Sequence, residues 1–182
     1  SDPILYLFNK NNLTIENFVI THVSNSTNLG KIVVINSQNI TIRNNVISNY
    51  TAPISEFNEQ GKVGSAITVF NSYSITIHNN SISDIRGGTG GLQKYQKIDG
   101  TWTYITTYGG YGTGIWLSDT SYSIISNNSF SKIYGGYNGR IGDDNDAMKV
   151  VPGTGVGVYL DNSNFNTVIS NNINNLTAEA AP

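Results

Sequence analysis

Three aspartates stand within four residues in the C-terminal half of the chain, the densest group of side chains that could do chemistry. They are Asp143, Asp144 and Asp146, with Arg140 and Lys149 nearby. Carboxylate oxygens are the preferred ligands of hard cations, so the segment is a candidate Ca²⁺ site. Two carboxylates at a suitable separation could instead act as acid and base in glycoside hydrolysis. The spacing matches no EF-hand loop, and a solvated acidic loop is the simplest explanation.

Aromatic residues form a second candidate group, suited to binding rather than catalysis. They are Trp102, Tyr104 and Tyr108, followed by Trp116 and Tyr159. Flat rings with polar edges suit the apolar faces of sugars and need few charges around them. The sequence therefore predicts a glycan-binding surface built from these five side chains. The alternative is that they pack long loops onto the body of the protein.

A repeat of 17 residues positions these groups. Each copy is counted from the last residue of a short apolar segment: Leu7, Val34, Val69, Leu117 and Leu160. Eight, thirteen and sixteen residues later every copy has an apolar or aromatic residue, and ten and eleven residues later it is rich in Asn. Five copies without a gap indicate a repeat architecture.

Within each copy the apolar residues alternate with a period of two, which predicts short β-strands. The segments are too short for a sandwich of hairpins, and β-branched residues are abundant. Each copy is therefore interpreted as one coil of a solenoid with three strands, and the coils stack with their apolar columns inside. Asn tolerates left-handed backbone, and stacked Asn amides can bond from coil to coil. Phe18 interrupts the second Asn column in the first coil.

Two stretches, GIWLSDTSYSIISNNSF from Gly114 and GVYLDNSNFNTVISNNI from Gly157, resemble the right-handed parallel β-helix repeat. The likeness is to the NosD-like type and to the carbohydrate-binding and sugar-hydrolase type. It implies an all-β fold, a single-stranded right-handed parallel β-helix of about five coils. Families with this repeat include polysaccharide lyases, glycoside hydrolases, adhesins and surface proteins.

All variation in length falls in the links between coils, at residues 24–31, 51–66, 86–114 and 134–157. These links leave the solenoid along one edge, where insertions in repeat proteins often build a binding surface. In the enzymes that the chain resembles, that edge carries the substrate groove. The resemblance also implies that Arg140 or Lys149 could act on a uronate beside a bound Ca²⁺.

The sequence has seven N-x-[ST] sequons, which are candidate glycosylation sites and favour an extracellular or cell-surface protein. They begin at Asn12, Asn25, Asn39, Asn49, Asn79, Asn127 and Asn175. The chain holds 26 Asn among 182 residues, so sequons also arise by chance.

Composition excludes several classes. A net charge of −2 disfavours nucleic-acid binding, the lack of Cys excludes disulfides, and no apolar run is long enough to span a membrane.

Residues 1–182 are predicted to form one β-helix domain of a longer extracellular protein. We expect a structural or glycan-binding module, partnered by a polysaccharide, another glycan or neighbouring domains. The alternative is a polysaccharide lyase or glycoside hydrolase. Ca²⁺ is the only cofactor suggested.

Overall fold

The architecture is a stack of five coils, each built from three short β-strands. The computed structural model describes residues 3–21, 30–56, 59–91, 95–98, 101–104, 107–137 and 152–178, with only the backbone for 95–98 and 101–104. Coils 1 and 2 contain β1 (Leu5–Phe8), β2 (Asn11–Glu16), β3 (Val19–Ile20), β4 (Ile32–Ile35), β5 (Gln38–Arg43) and β6 (Val46–Thr51). Coil 3 contains β7 (Gly64–Phe70), β8 (Thr76–His78) and β9 (Ser81–Arg86), and a hairpin of β10 (Tyr95–Ile98) and β11 (Thr101–Tyr104) follows. Coils 4 and 5 contain β12 (Gly112–Ser118), β13 (Ile124–Ser126), β14 (Ser129–Tyr134), β15 (Gly155–Asp161), β16 (Thr167–Ile169) and β17 (Asn172–Thr177).

Equivalent strands of successive coils pair in parallel and form three sheets of five strands. The first sheet has the order β1-β4-β7-β12-β15, and the second and third strands of the coils build the other two sheets in the same order. No helix occurs among the described residues. The predicted parallel β-helix of about five coils is therefore confirmed.

The predicted inward columns are also confirmed in register. Leu7, Val34, Val69, Leu117 and Leu160 are direct partners across the first sheet. The column through Ile77 in the second sheet and the column through Ile82 in the third are aligned in the same way. Coils 2 to 4 are completely enclosed at these positions, whereas Leu160 in coil 5 remains partly exposed.

Left-handed backbone explains the abundance of Asn. Among the described residues, all 19 non-glycine residues with positive φ lie two, five, ten or fifteen residues after the counting position of their coil, with φ between 44° and 62°. Twelve of them are Asn. Asn accepts this conformation more readily than other side chains, because its short amide can bond locally.

The two neighbouring Asn columns have different roles. The first, ten residues on, provides exposed left-handed turn residues such as Asn44 and Asn79. The second, eleven residues on, forms the predicted amide ladder through Asn45, Asn80, Asn128 and Asn171. Each amide nitrogen in Asn45, Asn80 and Asn128 donates at 3.0 Å to the amide oxygen of the next coil.

A second ladder of hydroxyl groups was not predicted. It lies three residues after the counting position, at Ser37, Ser72, Thr120 and Ser163. Each hydroxyl oxygen accepts the backbone N–H of the preceding coil at 3.0–3.4 Å, beginning with that of Lys10. Each hydroxyl also donates to the carbonyl oxygen two residues before it, at 2.7–2.9 Å. Both ladders satisfy buried backbone groups at the turns.

The edge that carries the links is closed by glycine backbone. Gly88 donates to the Lys62 carbonyl at 2.7 Å, Gly110 donates to Gly88 at 2.8 Å, Gly136 donates to Gly110 at 2.8 Å, and Gly153 donates to Gly136 at 2.9 Å. In this run, Gly88 and Gly136 follow the last strand of a coil, whereas Lys62, Gly110 and Gly153 precede the first strand of a coil. A Cβ atom at Gly88, Gly110, Gly136 or Gly153 would overlap backbone atoms of its neighbours. The links thus meet at a packed fourth side.

Candidate functional site

An aromatic row crosses the outward face of the first sheet from the end of β7 in coil 3 to coil 5. We call Phe70, Trp116, Tyr159 and Tyr111 the aromatic strip. The Trp116 and Tyr159 ring centroids are 6.2 Å apart, and Tyr111 lies 6.2 Å beyond Tyr159. Phe70 meets Trp116 edge-on at 5.1 Å. The strip therefore presents a contiguous surface of ring carbon rather than isolated aromatic side chains.

Sheet pairing holds the centre of the strip in place. Trp116 in β12 and Tyr159 in β15 are direct partners in the parallel register, as the repeat predicts. Tyr159 is 38% exposed and Tyr111 is 48% exposed, while Trp116 is half-buried. Solvent therefore reaches Tyr111 and Tyr159 most easily, with Trp116 partly covered beside them.

The positions equivalent to Trp116 on the same face are closed in coils 2 and 3. Val33 and Thr68 occupy positions equivalent to Trp116, yet neither has any exposed surface. The Thr68 hydroxyl and the Trp116 indole nitrogen are enclosed and have no hydrogen-bond partner among the described residues. Because the indole N–H is enclosed, Trp116 offers solvent only its carbon surface. The row of outward positions that contains Trp116 is therefore open only at its two ends, at Tyr6 in coil 1 and from Trp116 to Tyr159 in coils 4 and 5.

The other predicted ligand-binding residues lie in the link before coil 4. Tyr108 is exposed, and its backbone N–H donates to the Gln60 side chain while its carbonyl accepts from Gly61. Trp102 and Tyr104 lie in β11, whose backbone pairs in antiparallel fashion with β10. The side chains of Trp102 and Tyr104 lie outside the described part of the structure, so their roles stay predictions.

A basic side chain lies between two tyrosines of the same edge. The Arg86 guanidinium lies 4.9 Å from the Tyr134 ring centroid and 5.2 Å from that of Tyr137. Both distances fall within the range of cation–π attraction. These two tyrosines therefore pack the segment that leaves coil 4 onto the end of β9.

The acidic cluster lies outside the described residues. This applies to Asp143, Asp144, Asp146, Arg140 and Lys149, so the Ca²⁺ site and both catalytic schemes stay predictions. Within the described ranges, no group of three or more His, Cys, Asp or Glu side chains could hold a metal ion. Asp119 lies at the far turn of the first sheet, where it accepts a hydrogen bond from the Asn162 amide.

The sequon asparagines of the described residues are exposed. Asn25 is outside the described residues, and the other six, Asn12, Asn39, Asn49, Asn79, Asn127 and Asn175, are all exposed and left-handed. The Asn39 amide donates to the Asn12 side-chain oxygen at 3.1 Å. These six side chains are accessible, and their glycosylation stays a prediction.

Phe70 was not predicted as a site residue, and the contact between Tyr111 and Tyr159 was not predicted either. Phe70 follows the counting residue Val69, so strand alternation alone places it on the outward face with Thr68. That signal was present in the sequence. Tyr111 lies just before β12, and its approach to Tyr159 depends on the path of a link with no fixed frame.

The fold and the repeat agree with a comparison against protein families. The family model described as a right handed beta helix region matches residues 3–181, and the chain belongs to this family. No curated protein and no solved structure matches the chain. No helix in the described residues is long and apolar enough to cross a membrane.

Proposed function

We propose that this β-helix module binds a glycan weakly at the aromatic strip. The observation that carries the proposal is the row from Tyr111 through Tyr159 to Trp116, with both steps at 6.2 Å and two exposed rings. Aromatic rings offer a large contact area at a low cost in side-chain entropy. Rings on paired strands are already ordered before a ligand arrives, which lowers the entropy lost on binding.

The chemistry of the strip favours a ligand with apolar faces and polar edges. Phe70, Trp116, Tyr111 and Tyr159 carry no formal charge at neutral pH, and the two exposed tyrosines each add a phenol group that can donate or accept a hydrogen bond. A sugar ring combines both properties, whereas a wholly apolar ligand would leave the phenol groups unused. Affinity is expected to be weak because the strip is a surface and not an enclosed pocket.

Calorimetric or NMR titration tests this proposal on the 182-residue chain. Cellotetraose, xylotetraose and maltotetraose serve as neutral probes, and tri-galacturonate serves as an acidic probe. Tyr159→Ala and Trp116→Ala should each weaken binding of the active probe about tenfold, which corresponds to about 1.4 kcal/mol. Tyr122→Ala is the matched control, because Tyr122 is an exposed ring that stacks on Phe165 away from the strip. Equal binding by all four proteins would refute the proposal.

We also propose an extracellular or cell-surface setting, supported by the low charge of the chain and its six exposed sequons. Peptide mapping of the protein isolated from its source should find glycan on at least one of these asparagines. Unmodified peptides at every sequon, together with recovery in the soluble intracellular fraction, would contradict this part of the proposal.

A further inference from the structure

A polar cleft lies at the C-terminal ends of the strands of the first sheet, whereas the links lead into the N-terminal ends of these strands. It is a shallow, open depression between the segments that follow β1, β4 and β7, with a volume of about 380 Å³. Its lining consists of Asn11, Asn36, Ser37, Gln38, Asn71 and Tyr73, which we call the turn cleft. A volume of this size is within the range of small-ligand sites.

The amides of the turn cleft are free to bind a ligand. The side chains of Asn36, Gln38 and Asn71 make no hydrogen bond with any described residue. In coil 5, by contrast, the residue equivalent to Asn71 is Asn162, whose amide donates to Asp119. The unused amides therefore lie in coils 2 and 3, and the turn position of Asn71 does not leave its amide free in coil 5.

The backbone beneath these amides is fixed. Asn36 and Asn71 are both left-handed, with φ of 50° and 44°. Their N–H groups donate at 3.1 Å to the carbonyls of Phe70 and Ser118 in the next coil. The Ser37 hydroxyl below them is committed to the hydroxyl ladder. The ladder thus forms a rigid floor, and a ligand would meet amides whose backbone positions are already set.

Tyr73 supplies an aromatic wall to this cleft. The residue is 49% exposed. Its backbone bridges Gln38 on one side and Ser121 on the other, and its N–H donates to the Ser37 carbonyl at 3.1 Å. The phenol group adds a donor and an acceptor at the edge of the ring. One flat apolar face therefore stands beside several groups that can each donate and accept hydrogen bonds.

The lining narrows the class of ligand. None of the six residues carries a charge at neutral pH, so nothing in the cleft selects an ionic ligand. Side-chain amides pair well with hydroxyl groups, because both donate and accept. Apart from the Tyr73 ring, the cleft lacks an apolar wall that could hold a peptide side chain. We propose that the turn cleft binds one or two residues of a neutral oligosaccharide, independently of the aromatic strip.

A side-chain amide titration by NMR tests this inference. Cellotetraose, xylotetraose and maltotetraose are added to the 182-residue chain at millimolar concentrations, and the NH₂ signals of Asn36, Gln38 and Asn71 are followed. At least one probe should shift these signals, and Tyr73→Ala should weaken the response at least tenfold. Tyr122→Ala should leave it unchanged, because this more exposed ring lies outside the turn cleft.

Three further outcomes decide the inference. The shifts should persist in Trp116→Ala, which separates the turn cleft from the aromatic strip, and their loss in that variant would overturn the claim of an independent site. A stronger response to tri-galacturonate or to an Asn-rich tetrapeptide would overturn the ligand class. No shift with any probe, or shifts that survive Tyr73→Ala, would overturn the site itself.

Discussion

The side-chain oxygen of Asn128 accepts two hydrogen bonds from Asn80, one from its backbone N–H and one from its amide nitrogen, each at 3.0 Å. The Asn80 amide also donates to the Ile42 carbonyl at 2.9 Å. The Asn80 side chain therefore joins coils 2, 3 and 4. Its oxygen in turn accepts the same pair of hydrogen bonds from the backbone N–H and the amide nitrogen of Asn45. The ladder satisfies polar groups that the turn would otherwise bury without partners.

Asn80→Ala should lower the free energy of unfolding by about 2–4 kcal/mol, because the Asn45 N–H and the Ile42 carbonyl would lose their partners inside the protein. Asn171→Ala is the control. It occupies the same column in coil 5, where the side chain is only half-buried. Denaturant titration of both variants measures the difference. A smaller loss for Asn80→Ala than for Asn171→Ala would mean that burial does not determine the strength of the ladder.

Ile77→Ala tests the apolar column in the same way. Ile77 is completely enclosed between Ile42 and Ile125, so the substitution leaves a cavity and should cost about 2–5 kcal/mol. Val168→Ala removes fewer carbons from the same column where the side chain is 44% exposed. Its cost should stay below about 1 kcal/mol. Similar losses in the two thermal or chemical melts would contradict the column as the main source of stability.

The left-handed position inside β14 predicts a stabilising substitution. Lys132 has φ of 54°, which strains a side chain without a local amide. Lys132→Gly should therefore raise the free energy of unfolding by about 1 kcal/mol. Its long ion pair with Asp84, at 3.8 Å and exposed, contributes little to offset this gain. Ser131→Gly, one residue earlier in β14 without positive φ, should instead lower stability. The prediction fails if both glycine substitutions change the free energy of unfolding in the same direction.

The sequence predicted the inward columns because every coil must fill the same narrow core with apolar side chains. Trp116 and Tyr159 each stand one residue before the counting position of their coil, so the same fixed frame also determines that they pair. The hydroxyl ladder through Ser37 and Thr120 escaped notice because Ser and Thr are common throughout the chain and Lys10 occupies the position in coil 1. The glycine run could not be predicted, because it joins links of unequal length that share no common frame. The enclosure of Val33 depends on tertiary contacts that no local pattern encodes.

A buried lysine gives the protein a distinctive response to pH. Lys31 is 1% exposed, and its Nζ donates to the carbonyls of Ser48 at 2.7 Å and Asn49 at 3.2 Å. The Tyr50 ring centroid lies 5.9 Å from Nζ. No carboxylate of the described residues pairs with it. Burial lowers the pKa of Lys31 from 10.5 to about 8.

Between about pH 8 and pH 10.5, the unfolded chain keeps a proton on Lys31 that the folded chain has released. The free energy of unfolding contributed by this residue should therefore rise with pH across that window, by about 2–3 kcal/mol in total. Below the window both states are protonated, so the contribution becomes constant. Melts of the wild type and Lys31→Met across this range isolate the effect. A difference that stays flat or falls with pH would show that the lysine remains charged when folded.

Gly110→Ala tests the packed fourth side of the solenoid. Gly110 both donates to Gly88 and accepts from Gly136, and an added Cβ would overlap the Lys62 carbonyl. Because that obstacle is the backbone of a neighbouring link, the two links must separate. We therefore expect the free energy of unfolding to fall by more than about 4 kcal/mol. Gly157→Ala is the control, since its Cβ would meet the movable Ile173 side chain at 3.1 Å. It should cost less than about 1.5 kcal/mol. Chemical denaturation ranks the two variants, and hydrogen exchange at Gly88 and Gly136 reports whether the run has opened. Protected amides there in a stable Gly110→Ala protein would contradict close backbone packing as the reason for these glycines.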